Sequence, residues 1–135
     1  MRIDHVSYAV PHSRIADTVH RIGAAVGGRF IDGGIHARYG TRNFTMPLAN
    51  GCYIEVVSPL DHPAVTAKTF GQAVAKVAED GGGWLGWVVA VDDMEPITAH
   101  LGRLASQGSR TRPDGVVLEW QQIGVTDLLH DPQLP

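Results

Sequence analysis

The chain has 135 residues, 44% of them hydrophobic and 19% charged, which is the length of one ordinary domain and a globular composition. Eleven Lys and Arg against fourteen Asp and Glu leave a formal net charge of −3, which argues against a general nucleic-acid binder. The single cysteine, Cys52, excludes an internal disulfide framework and a zinc knuckle built on cysteines. No apolar run nears the ~20 residues of a membrane span. The opening Met1-Arg2-Ile3-Asp4-His5 lacks the apolar core of a signal peptide, so a cytoplasmic domain without membrane contact is expected.

The first element is a β-rich stretch, Val6-Ser7-Tyr8-Ala9-Val10. Ser13 is the type of residue that caps a helix N-terminus. Ile15, Val19, Ile22 and Val26 then recur on one helical face, and Gly27-Gly28 ends that helix. A short strand is expected near residues 29–32, broken by Gly33-Gly34, with a loop over 35–42 and a strand over 43–48. Ala49-Asn50-Gly51 is a hairpin signal, and residues 52–58 form a strong strand. Phe70, Ala73, Val74 and Val77 mark a further helix, ended by Gly81-Gly82-Gly83.

A weak internal repeat follows. A shift of 81 positions lays Val6-Ser7-Tyr8-Ala9-Val10 on Trp87-Val88-Val89-Ala90-Val91. Asp93 then stands as a cap, and Ile97, Leu101 and Leu104 make a second helical face. A short strand near residues 109–112, a turn at Pro113-Asp114-Gly115 and a strand over 116–123 complete the copy. The first copy reads β-α-β-β-β, and the second reads β-α-β-β. One domain over 1–135 is expected, with modules at about 1–60 and 83–135 and a linking helix at about 66–80. The tail, 124–135, reads as turns. The second copy lacks a last strand. The natural chain continues past residue 135, or a partner covers the exposed edge, or the repeat is imperfect. An uncovered edge is an aggregation liability.

This order of elements resembles the vicinal oxygen chelate superfamily, which includes glyoxalase I, extradiol dioxygenases, some epimerases and the bleomycin- and fosfomycin-resistance proteins. Ile3-Asp4-His5-Val6 with Ala9-Val10 is similar to its first strand, and Tyr53-Ile54-Glu55-Val56-Val57 to its fourth. The block from His36 to Glu55, with Gly40-Thr41-Arg42-Asn43, resembles the glyoxalase-like domain branch. The resemblance implies an α+β fold of tandem βαβββ modules, here without the last strand of the second. Each module curls into half of a cup whose concave face holds the site. It also implies a homodimer, a small-molecule ligand, and a divalent metal (Zn, Ni, Fe or Mn) held by the first and last strands of each module. His5 and Glu55 match the first-module ligand positions. Gly86 falls where the partner of His5 would stand, and the other ligand would belong to the missing strand. The metal site is therefore incomplete, and a site without metal is the other expectation.

Strand alternation puts His5, Ser7 and Ala9 on one face of the first strand, and Tyr53, Glu55 and Val57 on one face of the fourth. Both faces are assigned to the cup, where His5 and Glu55 converge as catalytic candidates. Desolvation would raise the Glu55 carboxyl, and an imidazole is the side chain suited to exchanging protons near neutrality, so His5 and Glu55 suit proton transfer. The plainer reading is that His5 and Glu55 simply hydrogen-bond each other. His36, Arg42, Asn43, Tyr53 and Trp84 are the substrate-binding candidates. Arg42 could fork an anion, Asn43 could point inward, and Trp84 beside Gly86 would leave space for an apolar or aromatic ligand. Cys52 reads as a small core residue. No P-loop, Gly-x-Ser-x-Gly, His-Glu-x-x-His or Cys-x-x-Cys motif is present.

The resemblance implies lyase or isomerase chemistry on a small carbonyl, hydroxy-acid or aromatic metabolite. The glycine at position 86 argues against ordinary glyoxalase I. Two other readings stay open: a non-catalytic small-molecule binder of the resistance type, and a degenerate module serving as an oligomerisation scaffold.

Overall fold

The structure, a computed structural model, describes residues 1–127 and Leu129. Strand β1 (Arg2–Ala9) passes through a 3-10 turn at His12–Arg14 into helix α1 (Ile15–Val26). Strands β2 (Ile31–His36), β3 (Thr41–Pro47) and β4 (Tyr53–Pro59) follow, then helices α2 (Ala64–Ala67) and α3 (Thr69–Glu79). The second half holds β5 (Gly83–Ala90), α4 (Glu95–Leu101), β6 (Ser106–Thr111) and β7 (Val117–Gln122).

The seven strands form one curled sheet in the order β5-β1-β4-β3-β2-β6-β7. The β1–β4 pair is parallel, and every other pair is antiparallel. A single residue pair, Ile35 with Thr111, joins β2 to β6 and so links the two halves on that side. Among the described residues, β5 and β7 are the free edges.

Two apolar clusters hold opposite faces of this sheet. On one, α1 brings Ile15, Val19 and Ile22 against Tyr8, Val10, Val56, Phe30 and Phe44. On the other, α3 brings Phe70, Ala73, Val74 and Val77 against Ala9, Val57 and Leu85. Each large aliphatic side chain buried in this way contributes about 1.5–3 kcal/mol. Since Ala9 and Val57 are in the α3 cluster, the alternating positions Ser7, His5, Glu55 and Tyr53 share the face that α3 covers at one end. Helix α1 stops where the periodicity predicts, with Gly27 in the left-handed conformation (φ 76°). The antiparallel β3 and β4 are joined through the Ala49-Asn50-Gly51 turn, with Asn50 at φ 60°.

Several expectations are corrected. Gly33-Gly34 does not break β2. The strand runs through both glycines to His36, with a register shift between Asp32 and Gly34 that Gly34 absorbs at φ 91°. The glycines therefore mark a bulge, and His36 ends a strand instead of standing in a loop. Ser13 lies inside the 3-10 turn and caps nothing. Asp93 does act at the start of α4, where its Oδ1 accepts the Glu95 N–H at 2.9 Å. Cys52 is half-buried, and its thiol donates to the Ala49 carbonyl, so it is a turn residue and not a core one. The second half is thinly packed: α4 buries no residue, and Leu104 is 94% exposed. The turn-like reading of the tail meets a 3-10 turn at Val125–Asp127, and its remainder at 128 and 130–135 lies outside the described residues. No helix among the described residues is long and apolar enough to cross a membrane.

Candidate active site

The polar residues of the α3-covered face gather around one carboxylate. In register, Ser7 of β1 lies beside Glu55 of β4, with Thr45 of β3 on the other side. Glu55 is only 4% exposed. Ser7 Oγ donates to its Oε2 at 2.5 Å, and Asn43 Nδ2 donates to its Oε1 at 2.6 Å. Such charge-assisted bonds contribute about 1.5–3 kcal/mol each. Asn43 is itself buried, and its Oδ1 accepts a long bond from Arg110 Nη1 of β6 at 3.5 Å. The amide is thus oriented from both sides. Gly33 of the β2 bulge makes room for it: a Cβ at that position would lie 2.1 Å from Asn43 Oδ1 and 3.0 Å from Arg110 Nη1.

His36 belongs to the same cluster. It is 5% exposed, its Nδ1 shares a hydrogen bond with Thr41 Oγ1 at 3.2 Å, and its ring stands 6.4 Å from that of Phe70 on α3. Its Nε2 is buried with no partner among the described residues, a condition that costs stability and calls for an explanation. Burial pushes the His36 imidazole below its ordinary value of 6.5, the charge of Glu55 opposes this, and Arg110 and His5 add to the lowering. The ring is therefore neutral at pH 7. For Glu55, burial pushes the carboxyl up, but the fields of His36 and His5 and the bonds from Ser7 and Asn43 outweigh it and hold the carboxyl below 4.5. The raised carboxyl expected from desolvation alone is thus reversed, because the fold supplies donors as well as burial.

His5 and Tyr53 are register partners on β1 and β4, and their rings stack at 4.5 Å with 16° between planes. His5 Nδ1 meets Asp4 Oδ2 at 2.9 Å, and the hydrogen bonds of Glu55 go to Ser7 and Asn43 and not to His5. Burial, then the charges of Glu55 and Asp4, push the Tyr53 phenol far above its ordinary value, leaving it a neutral donor at every physiological pH.

Two candidates are not brought to this face. Arg42 Nη2 pairs with Asp32 at 2.9 Å, and its guanidinium lies 5.1 Å above Phe44 of the α1 cluster. Trp84 meets Tyr8 edge-on at 5.1 Å, also on the α1 side, and is 48% exposed. A β-bulge explains the second case. The register steps from Ser7–Gly86 to Tyr8–Trp84, leaving Leu85 unpaired. Leu85 and Gly86 then both face the cup, and alternation counted through them assigns Trp84 to the wrong side.

Ser7 and Arg110 are the members that sequence reasoning did not single out. Ser7 was legible as a cup-facing position but carries no motif. Arg110 is a lone arginine in a short polar strand, with no sequence signal that sets it apart. A cavity of about 450 Å³ bordered by Asp92, Asp93, Glu95 and Gln121 lies at the β5–α4 turn, away from this cluster.

The metal centre implied by the resemblance can be tested against these donors. Among the described residues, no three His, Cys, Asp or Glu side chains are placed to hold a metal ion. His5 could offer only Nε2, since Nδ1 is turned to Asp4, and each Glu55 oxygen only its remaining lone pair, since each already accepts a short bond. With no third donor placed beside them among the described residues, these residues do not make up a metal centre.

The sequence matches the profile of a family described as "Glyoxalase-like domain" over residues 3–135. No curated protein sequence matches the chain. Among solved structures, the fold is similar to methylmalonyl-CoA epimerase from Mycobacterium tuberculosis, with 16% identity, a TM-score of 0.55, and coverage of 90% of this chain and 78% of that one. A hypothetical protein from Bacillus halodurans C-125 gives 16% identity and a TM-score of 0.59, covering 91% of this chain and 94% of that one. A variant of Streptomyces coelicolor methylmalonyl-CoA epimerase in complex with 2-nitronate-propionyl-CoA gives 19% identity and a TM-score of 0.59, covering 90% and 85%. At such identities the likeness shows the fold.

Proposed function

The chain belongs to the glyoxalase-like domain family of the vicinal oxygen chelate superfamily, and from that premise we propose that its cup is a proton-transfer site, acting as an isomerase or lyase on a small carbonyl or hydroxy-acid metabolite. One observation carries this reading. A buried neutral imidazole, with Nε2 unpartnered, stands in the field of a buried ionised carboxylate.

The step follows from these groups. His36 Nε2 takes a proton from a substrate carbon next to a carbonyl. The C–H electron pair moves into a new C=C bond, and the negative charge moves to the carbonyl oxygen. The Glu55 carboxylate stabilises the imidazolium so formed. Ser7 and Asn43 keep that carboxylate oriented and ionised, so it needs no rearrangement during the reaction. Tyr53, two residues from Glu55 on the same strand face, supplies a neutral O–H for the developing oxyanion. His5, stacked on Tyr53 and held by Asp4, positions that phenol. Return of the proton to carbon completes an isomerisation, and loss of a group from the neighbouring carbon completes an elimination. Both balance without an oxidant or reductant. Similar folds include proteins named as epimerases, and inverting a stereocentre uses the same proton removal and return. No step is routed through a metal, since the donors do not fit one.

The test is proton exchange in deuterated water, followed by NMR, over a panel of 2-oxo acids, 2-hydroxy acids and acyl thioesters. The wild-type chain should label at least one member at the carbon next to its carbonyl. His36→Gln should slow that labelling by about 10²–10⁴-fold while its circular dichroism stays that of the wild type. Absence of labelling across the panel with the wild type, or full labelling by His36→Gln, contradicts the assignment.

A further inference from the structure

We propose that Arg110 is the anchor for a carboxylate group of the substrate, so that the cup takes small carboxylic acids in preference to neutral carbonyl compounds. This deepens the proton-transfer reading and rests on it.

Arg110 stands opposite Leu118 in the β6–β7 pair and is half-buried. Its guanidinium crosses from the second half of the chain to the first, where it reaches Asn43 Oδ1 at 3.5 Å. That distance is the outer limit of a hydrogen bond, and it is the only side-chain bond Arg110 makes among the described residues. Arg2, Arg42, Arg103 and Arg112 each have a carboxylate partner on the surface. Of the arginines with none within 4.0 Å among the described residues, Arg14, Arg21, Arg29 and Arg38 are exposed and Arg110 is half-buried. A guanidinium has five N–H donors in a planar fork that matches the two oxygens of a carboxylate. A half-buried cation with one weak bond is a site whose desolvation cost an arriving anion offsets.

The surroundings place that anion relative to the reaction. Asn43 stands between Arg110 and Glu55, accepting from one and donating to the other. Gly33 lets the Asn43 amide and the guanidinium lie close against the β2 backbone, since a Cβ there would fall 2.1 Å from Asn43 Oδ1 and 3.0 Å from Arg110 Nη1. A carboxylate on the guanidinium is thus held one amide away from Glu55. The field of Arg110 extends to both His36 and Tyr53. The carbon next to the bound carboxylate, or one bond beyond it, then lies among the proton-transfer groups. Binding energy from the unreactive carboxylate is in this way used to orient the reacting carbon.

Pyruvate and lactate are the shortest 2-oxo and 2-hydroxy acids, and pyruvamide and lactamide are their neutral counterparts. Binding of all four to the full chain should be measured by calorimetric titration, beside solvent-deuterium exchange of each. The acids should bind about tenfold or more tightly than the amides, and Arg110→Gln should remove that advantage by weakening the acids far more than the amides. Arg110→Lys, which keeps the charge but not the fork, should retain part of it, and serves if the glutamine variant fails to fold. Equal binding of acids and amides by the wild type, or equal weakening of both by Arg110→Gln, overturns the anchor. The two readings fail separately. Labelling of amides as fast as acids removes the anchor and leaves proton transfer standing. Arg110-dependent acid binding without any labelling removes proton transfer and leaves a carboxylate-binding cup.

Discussion

Glutamine at position 55 should leave the chain folded and remove most of its proton transfer. The substitution keeps the shape of the side chain. Its amide oxygen can still accept from Asn43 Nδ2, and its amide nitrogen can donate to Ser7 Oγ, so neither neighbour is left unpaired. The lost quantity is the charge. Without it the imidazolium formed at His36 has no counter-ion in a buried site, and the labelling rate should fall about 10²–10⁴-fold. Glu55→Leu tests the opposite case: it strands Ser7 and Asn43 and should cost about 1–3 kcal/mol for each group left unsatisfied.

The same variant separates the acid dependence of stability into two parts. The folded chain holds the Glu55 carboxyl below its ordinary value of 4.5. The resulting stability is present above that value, and it is lost as the pH falls through the lower folded one. His36 acts in the same direction from a higher starting point. Its folded value lies below 6.5, so as the pH drops past 6.5 the unfolded chain takes up the proton first and gains on the folded one. Wild-type stability in urea should therefore begin to fall below about pH 6.5 and fall further below about pH 4.5. Glu55→Gln should lack the second part, so the gap between the two proteins narrows as the pH falls below about 4.5. A gap that goes on widening below that pH, or unaltered labelling by Glu55→Gln, would count against the assigned role.

Alanine at position 71 should destabilise the chain by about 3 kcal/mol, at the upper end of what overpacking usually costs. Intrinsic helix propensity makes the opposite forecast, since alanine is favoured over glycine in a helix by about 1 kcal/mol. Gly71 is buried in the first turn of α3, where the helix rests directly on backbone. A Cβ there would lie 2.4 Å from the Tyr39 carbonyl oxygen and 2.8 Å from Val65 Cα and carbonyl oxygen. None of these atoms can rotate aside, so the helix must lift. The neighbouring Phe70 ring packs 5.4 Å from Tyr39 and 6.4 Å from His36, so lifting α3 uncovers the imidazole. Thermal unfolding measures the first effect. Titration of His36 measures the second, which should move toward the ordinary histidine value. A Gly71→Ala protein as stable as the wild type would mean that α3 is not seated as described.

The periodicity of β1 and β4 made half of this site legible. In a strand of period two, placing Ala9 and Val57 in the core places Ser7 and Glu55 beside each other, and His5 beside Tyr53. The inward turn of Asn43 followed from the same alternation. Periodicity fails where a strand bulges. Leu85 shifts β5 by one position, which sends Trp84 to the α1 face, and the Gly33-Gly34 bulge hides the length of β2 and with it the burial of His36. Arg42 was misread for a related reason. As a loop residue it could point anywhere, but as the neighbour of Asn43 in β3 it must point away from Asn43. The charge state of Glu55 was beyond sequence reasoning, because its sign depends on two donors from different strands and not on burial alone. Arg110 is in the same class: it joins Asn43 across 67 positions through the pairing of β6 with β2, and no local pattern records that contact.

If Glu55 and His36 form one buried pair linked by charge, the His36 ring nitrogens report it, followed by NMR across a pH series in the wild type and in Glu55→Gln. The imidazole should still be mainly neutral at pH 6.5, and lowered further in Glu55→Gln, where the carboxylate charge that raises it is gone. A His36 ring that titrates at the ordinary value and ignores the substitution at Glu55 would contradict that pairing.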